Sequence, residues 1–103
     1  MTEPRAYGTF GDFYPFYLTE HSRRGTRRLH FAGTLLVLLT LAYAIVTARW
    51  WLLALVPIFG YGFAWVGHFF VERNRPATFQ YPLYSLAGDF RMFADMLRGR
   101  VSF

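Results

Sequence analysis

Charge disappears from this chain twice. Leu29 to Ala48 is a run of 20 residues without a charged side chain, and Trp50 to Gly67 is a second run of 18. Arg49 alone separates them. At about 1.5 Å rise per residue, each run as a helix approaches the ~30 Å hydrocarbon core of a bilayer. The pattern predicts a hairpin of two spans, one over about 27–48 and the other over about 50–72. Trp50 and Trp51 at the turn suit the membrane–water interface.

The flanks alternate rather than run. Phe10, Phe13, Tyr14, Phe16, Tyr17 and Leu18 make an aromatic-rich stretch. Asp12 and Pro15 suit a helix start, because proline is tolerated in a first turn. A short helix is expected over about 13–22, with its rings in the headgroup layer. Gly25 suits a left-handed break and Thr26 an N-cap for the first span. Beyond the second span, Arg75-Pro76 should end the helix, since the residue before proline avoids the helical region. Residues 74–83 read as an extended loop. Leu86, Phe90, Phe93 and Leu97 then recur at helical spacing, which predicts an amphipathic helix over about 85–98. Met1 to Thr9 reads as a polar leader.

The fold class that follows is an all-α integral membrane protein. One domain over 1–103 holds a two-span transmembrane hairpin flanked by N- and C-terminal interfacial amphipathic helices. Pro57 should kink the second span or mark a break in it. Gly60 and Ala64 have the small-xxx-small spacing of close helix contacts, here a candidate face for a homo-oligomer.

Composition supports this and narrows the partners. Aromatic residues are 21 % of the chain and hydrophobic residues 54 %, above a soluble norm. There is no cysteine, which excludes disulfides and thiolate metal sites. The net charge of +5 rests on arginine alone, without lysine. These arginines flank apolar spans, so the expected partner is an anionic lipid surface and not nucleic acid. Ten lie outside the hairpin turn and one, Arg49, within it. The positive-inside rule then puts both termini in the cytoplasm, at the cytoplasmic membrane of a bacterium or the endoplasmic reticulum of a eukaryote. No cleavable signal peptide is expected, because the first 28 residues lack a continuous apolar core.

The chemistry-bearing residues gather by topology. His30 begins the first span and His68 ends the second, so an antiparallel hairpin brings both to one side. His68 and Glu72 are four apart, on one face of a helix. A fold-back before the first span would add His21. His21, His30, His68 and Glu72 are therefore candidate ligands, and imidazole–carboxylate sets favour non-haem Fe(II), with zinc and manganese as alternatives. Asp89 is a candidate acceptor that orients a ligand histidine. Arg27, Arg28 and Arg75 are candidates to meet an anionic substrate group.

Several runs carry a resemblance. Tyr17-Leu18-Thr19-Glu20-His21, Arg28-Leu29-His30-Phe31-Ala32-Gly33-Thr34, Gly67-His68-Phe69-Phe70-Val71-Glu72 and Asn74-Arg75-Pro76-Ala77-Thr78-Phe79 resemble a widespread family of small membrane proteins. So does Tyr81-Pro82-Leu83-Tyr84-Ser85-Leu86 with Asp89. The family includes the yeast dioxygenase of phytosphingosine breakdown to odd-numbered fatty acids. One departure is Thr26, where the yeast-like branch tends to have Asn. The resemblance implies an Fe(II)-dependent membrane dioxygenase that shortens 2-hydroxy fatty acids by one carbon, with a fatty-acyl substrate and O₂ as partners. It implies His21, His30 and His68 as the matching histidines, with Glu72 completing the HxxxE motif.

Two other readings explain part of the pattern. A non-catalytic membrane hairpin or scaffold accounts for spans, aromatics and arginines, but does not need three histidines on one side. A b-type haem carrier would need two axial histidines.

Overall fold

The computed structural model describes residues 7–103, so most of the polar leader, up to residue 6, lies outside the described residues. Among the described residues every regular element is helical. Helix α1 is Phe10–Thr19, α2 is Arg24–Thr47, α3 is Leu55–Val66 and α4 is Pro82–Leu97. A 3₁₀ turn, Trp50–Ala54, leads into α3, and a π-helical segment, Gly67–Glu72, continues it. A second 3₁₀ turn, Ala77–Phe79, precedes α4.

Helix α2 and the α3 segment form the hairpin. Ala48 closes α2 in the left-handed conformation, and Arg49 donates its backbone N–H to the Ala44 carbonyl. That is a capped end that reverses the chain within two residues. Pro57 falls in the first turn of α3, where no intrahelical bond is lost. It therefore marks the passage from 3₁₀ to α geometry and does not kink a continuous helix. Gly33 sets how closely the two helices pack. A Cβ there would lie 2.9 Å from the Phe59 carbonyl oxygen and 2.9 Å from Phe63 Cβ.

By length and composition, Arg24–Thr47 and Trp50–Glu72 can each cross a membrane. Only 28 % and 17 % of their apolar windows are buried inside the protein. Leu39, Ile45, Val46 and Ile58 stay exposed along them. Ala64 is buried within the hairpin and Gly60 faces Val37. These small residues thus allow a close approach inside one chain, one of the two uses their spacing permits.

The core lies at one end of the hairpin, between α1 and α4. Phe13, Tyr14, Tyr17, Ala77, Met92 and Met96 form it. Phe13, Tyr14 and Tyr17 of α1 point into the protein, while Phe10, Phe16 and Leu18 are half-buried at its margin. Gly88 makes this possible: a Cβ on it would meet the Tyr17 ring at 2.8 Å. Tyr14 donates its hydroxyl to Asp95 at 2.8 Å, and Arg91 reaches the same carboxylate oxygen at 3.1 Å. Both bonds fall on Asp95 Oδ2, which pairs the buried Tyr14 hydroxyl across the layer.

Element limits differ from the sequence pattern for local reasons. Helix α1 starts earlier because Thr9 caps it, its hydroxyl accepting from Asp12 N–H at 3.1 Å. The α1–α2 reversal falls at Ser22-Arg23 and needs no glycine. Gly25 is inside α2 against Val71, and Thr26 is a fully buried first-turn residue rather than a cap. Side chains hold this turn, as described below. Residues 74–83 are not simply extended: Tyr81 N–H returns to the Ala77 carbonyl at 2.8 Å, and α4 begins at Pro82. On α4, Ser85, Gly88, Met92, Asp95 and Met96 face the protein, while Leu86, Phe90 and Leu97 of the apolar stripe face outward.

Candidate metal centre

His21 of the α1–α2 turn, His30 of α2 and His68 of the π-helical segment meet behind the α1–α4 layer. All three are buried. One ring nitrogen from each lies within 4.8 Å of the other two. Their ring centroids are 4.3, 4.5 and 5.0 Å apart, with the planes nearly perpendicular.

The other nitrogen of each ring has a fixed partner. His21 Nδ1 lies 2.7 Å from the Tyr17 carbonyl, and His30 Nδ1 lies 3.2 Å from the Thr26 carbonyl. His68 Nδ1 lies 2.7 Å from Asn74 Oδ1. The Asn74 amide orientation is itself determined, because its Nδ2 donates to the Glu20 backbone and side-chain oxygens, both at 3.0 Å. All three partners of the Nδ1 atoms are acceptors. Each Nδ1 must therefore carry the proton, which leaves each Nε2 as a free lone pair.

His21 Nε2 and His30 Nε2 are 3.0 Å apart. Two lone pairs at that distance repel unless a cation lies between them. With metal–imidazole bonds of about 2.1 Å, two ligands at right angles sit about 3 Å apart. The neighbouring cavity, about 20 Å³, has room for something the size of a water molecule or an ion. The donor set fits a first-row divalent metal. It does not fit a haem, since no macrocycle can enter between nitrogens so close.

Burial sets the electrostatics. His21 is held well below the usual histidine range, chiefly by desolvation and then by the adjacent imidazoles. A buried neutral imidazole is the form a metal requires. Tyr17 is pushed well above the usual phenol range by burial and by the neighbouring Asp89 charge. Its ring stacks on His21 with centroids 4.1 Å apart, and its hydroxyl donates to Asp89. Burial pushes the Asp89 carboxyl up to about 7, against a smaller lowering by the Tyr17 hydroxyl. Asp89 keeps 31 % of its side-chain surface, and it borders a largely apolar cavity.

The remaining candidates divide. Asp89 Oδ1 lies 3.8 Å from His30 Nε2, at the edge of the cluster and on the metal-facing nitrogen rather than on Nδ1. Glu72 is not with the histidines. Its carboxylate accepts from Ser22 Oγ at 2.9 Å and from the Arg23 backbone N–H, at the start of α2. It neutralises that helix's positive end and ties the end of the second span to it. The π geometry carries the chain past the i, i+4 register that the HxxxE spacing assumes. Arg27 is consumed by the carbonyls of His21, Ser22 and Ser102. Arg28 donates to the Phe103 carbonyl, and Arg75 lies over the Phe79 ring. None of the three lines the metal cavity.

Two residues of the runs that carry the resemblance gain roles only from the packing. Asn74 orients His68 from six residues further on. Tyr17 braces both His21 and Asp89; its position one turn before His21 was a signal that an aromatic-rich helix concealed.

Among known proteins, a family model described as 2-hydroxy-palmitic acid dioxygenase Mpo1-like matches residues 7–101. No curated protein and no solved structure matches the chain. The matched segment contains all three histidines, Asn74 and Asp89, and on this match the chain belongs to the Mpo1-like family.

Proposed function

We propose that the protein is a membrane-embedded, Fe(II)-dependent dioxygenase that shortens 2-hydroxy fatty acids by one carbon. The observation that carries this reading is the set of three buried imidazoles whose Nδ1 protons are all directed away, leaving three Nε2 lone pairs for one cation. The family description supports the class of reaction.

His21, His30 and His68 would hold the metal. Bound iron supplies the redox chemistry that brings O₂ and the acid together. The overall reaction balances without an external reductant: a 2-hydroxy acid and O₂ become the acid one carbon shorter, carbon dioxide and water. The chain's own residues prepare the site. Tyr17, Thr26 and Asn74 fix the imidazoles in the ligating tautomer. Asp89 stands where the metal cavity meets the lipid-side cavity, close enough to exchange a hydrogen bond with a substrate hydroxyl. Packing of α1 and α4 over the cluster excludes water. No arginine lines either cavity among the described residues, so a metal held by the three histidines would supply the counter-charge for the substrate carboxylate.

The exposed apolar surface of both spans supports a lipid setting, and the arginine distribution supports cytoplasmic termini with the metal centre on that side. The test is anaerobic Fe(II) loading of purified protein, then a 2-hydroxy fatty acid and O₂, with mass-spectrometric detection of the shortened acid. Stoichiometric iron and product, both lost in His68→Ala, support the proposal. A folded protein that takes up no transition metal and forms no product supports a membrane scaffold instead.

A further inference from the structure

The space beside the cluster does not end at the imidazoles. His30, Tyr61 and Asp89 border the small cavity and also a second one, about 320 Å³, that runs away between the helices. Its α2 wall is His30, Thr34, Val37 and Leu41, at i, i+4, i+7 and i+11, a single stripe along one helix face. Opposite them, in the same order from the cluster, stand Gly60, Pro57 and Val56. Polarity falls along this line. It starts at an imidazole, a carboxyl and a phenol, passes one hydroxyl at Thr34, and ends in hydrocarbon. Leu86 and Phe90 of α4 border one side, and each keeps part of its surface open, so the groove has a lateral face towards lipid.

We propose that this groove receives the unbranched alkyl chain of the substrate, head first at His30 and Asp89, and that Gly60 sets how much of the chain the protein can hold. The identity of the acid rests on the dioxygenase reading; the alkyl occupancy rests on the groove. A Cβ on Gly60 would lie 3.6 Å from Val37 Cγ2, in ordinary contact, so a methyl group fits and a longer side chain would cross the groove there. Along α2, Val37 is about 10 Å and Leu41 about 16 Å from His30. An extended alkyl chain advances about 1.25 Å per methylene, from ~1.5 Å bonds at a tetrahedral angle. The level of Gly60 therefore corresponds to roughly eight methylenes, and that of Leu41 to roughly thirteen.

The experiment is anaerobic, with the Fe(II)-loaded full chain in detergent, and reads displacement of a fluorescent fatty-acid analogue. Unlabelled acids range from 2-hydroxyoctanoic to 2-hydroxyoctadecanoic. The quantity read is the ratio of wild-type to variant affinity at each length, in which micelle partitioning cancels. For Gly60→Leu the ratio should stay near one for the shortest acid. It should rise by roughly tenfold or more for 2-hydroxyhexadecanoic acid, because each methylene kept from water counts roughly fourfold. For Leu41→Trp the same rise should begin about five methylenes later, four residues further along α2. The second variant keeps the test decisive if the first does not fold. A ratio that does not change with length in either variant overturns the proposal. Length-dependent binding without any shortened product on admitting O₂ would instead sink the dioxygenase reading and leave the groove intact.

Discussion

Tyr17 donates its hydroxyl proton to Asp89 across the α1–α4 interface while its ring stacks on His21 and its carbonyl accepts from His21 Nδ1. One side chain thus ties a metal-facing imidazole to the carboxyl at the head of the groove. Removing only the hydroxyl separates these jobs. Tyr17→Phe should keep the ring stack and the metal, and lower stability by about 1 kcal/mol, the usual net worth of one hydrogen bond. Thermal unfolding together with iron content checks both halves.

The same contact has a pH signature. Asp89 has its folded carboxyl raised to about 7, from a usual 3.8. A raised carboxyl favours folding while it is protonated, so its contribution is present below about pH 4 and is lost as pH rises through about 7. His21 works in the opposite sense: its folded imidazole is depressed, so its contribution is present above 6.5 and is lost as pH falls towards the depressed value. In metal-free protein, Asp89→Asn should remove the first effect alone. The unfolding temperature of the wild type should then fall relative to Asp89→Asn between pH 5 and pH 8. Parallel curves for the two proteins would contradict the assignment.

Glu72 caps the start of α2, and a capping carboxylate and a metal ligand respond differently to mutation. Glu72→Ala should retain iron stoichiometry and lose about 1 kcal/mol of stability, as helix caps do. Chelator competition and denaturant unfolding on the same sample measure both. Loss of iron at unchanged stability would restore the carboxylate to the metal.

Asn74 orients His68 through one acceptor atom. Asn74→Ala should weaken metal affinity by roughly ten- to a hundredfold, the usual effect of losing such a partner. Asn74→Asp keeps an acceptor for His68 Nδ1–H and should bind metal more tightly than Asn74→Ala. Competition with a coloured chelator resolves differences of this size.

Gly88 holds the α1–α4 layer together by what it lacks. Alanine normally favours a helix by about 1 kcal/mol over glycine. Here its methyl would lie 2.8 Å from the Tyr17 ring, so Gly88→Ala should instead destabilise by about 1–3 kcal/mol. A lower unfolding midpoint, with reduced iron affinity as Tyr17 shifts against His21, is the expected outcome.

Much of the architecture was readable because it depends on local composition. Two long charge-free runs with one arginine between them determine two apolar helices and a tight reversal, whatever else the chain does. The same topology brings His30 and His68 to one end without any knowledge of packing. Helix limits were harder, because Thr9, Arg27 and Glu72 act as caps and turn braces through contacts that periodicity does not register. On α4 the residues Leu86, Phe90 and Leu97 recur at helical spacing, but periodicity does not say which way they face: they point outward while Met92 and Met96 make the core.

What the sequence determined alone was the number of apolar helices, their order, and the end at which histidines collect. Only the folded chain decided which carboxylate stands beside them. Glu72 has the favourable spacing on paper, yet the π turn and the open end of α2 draw it away. Asp89, seventeen residues further on, arrives through the packing of α4 on Tyr17. Spacing along a helix is a local property, whereas the approach of separate helices depends on how rings, glycines and caps fill the space between them.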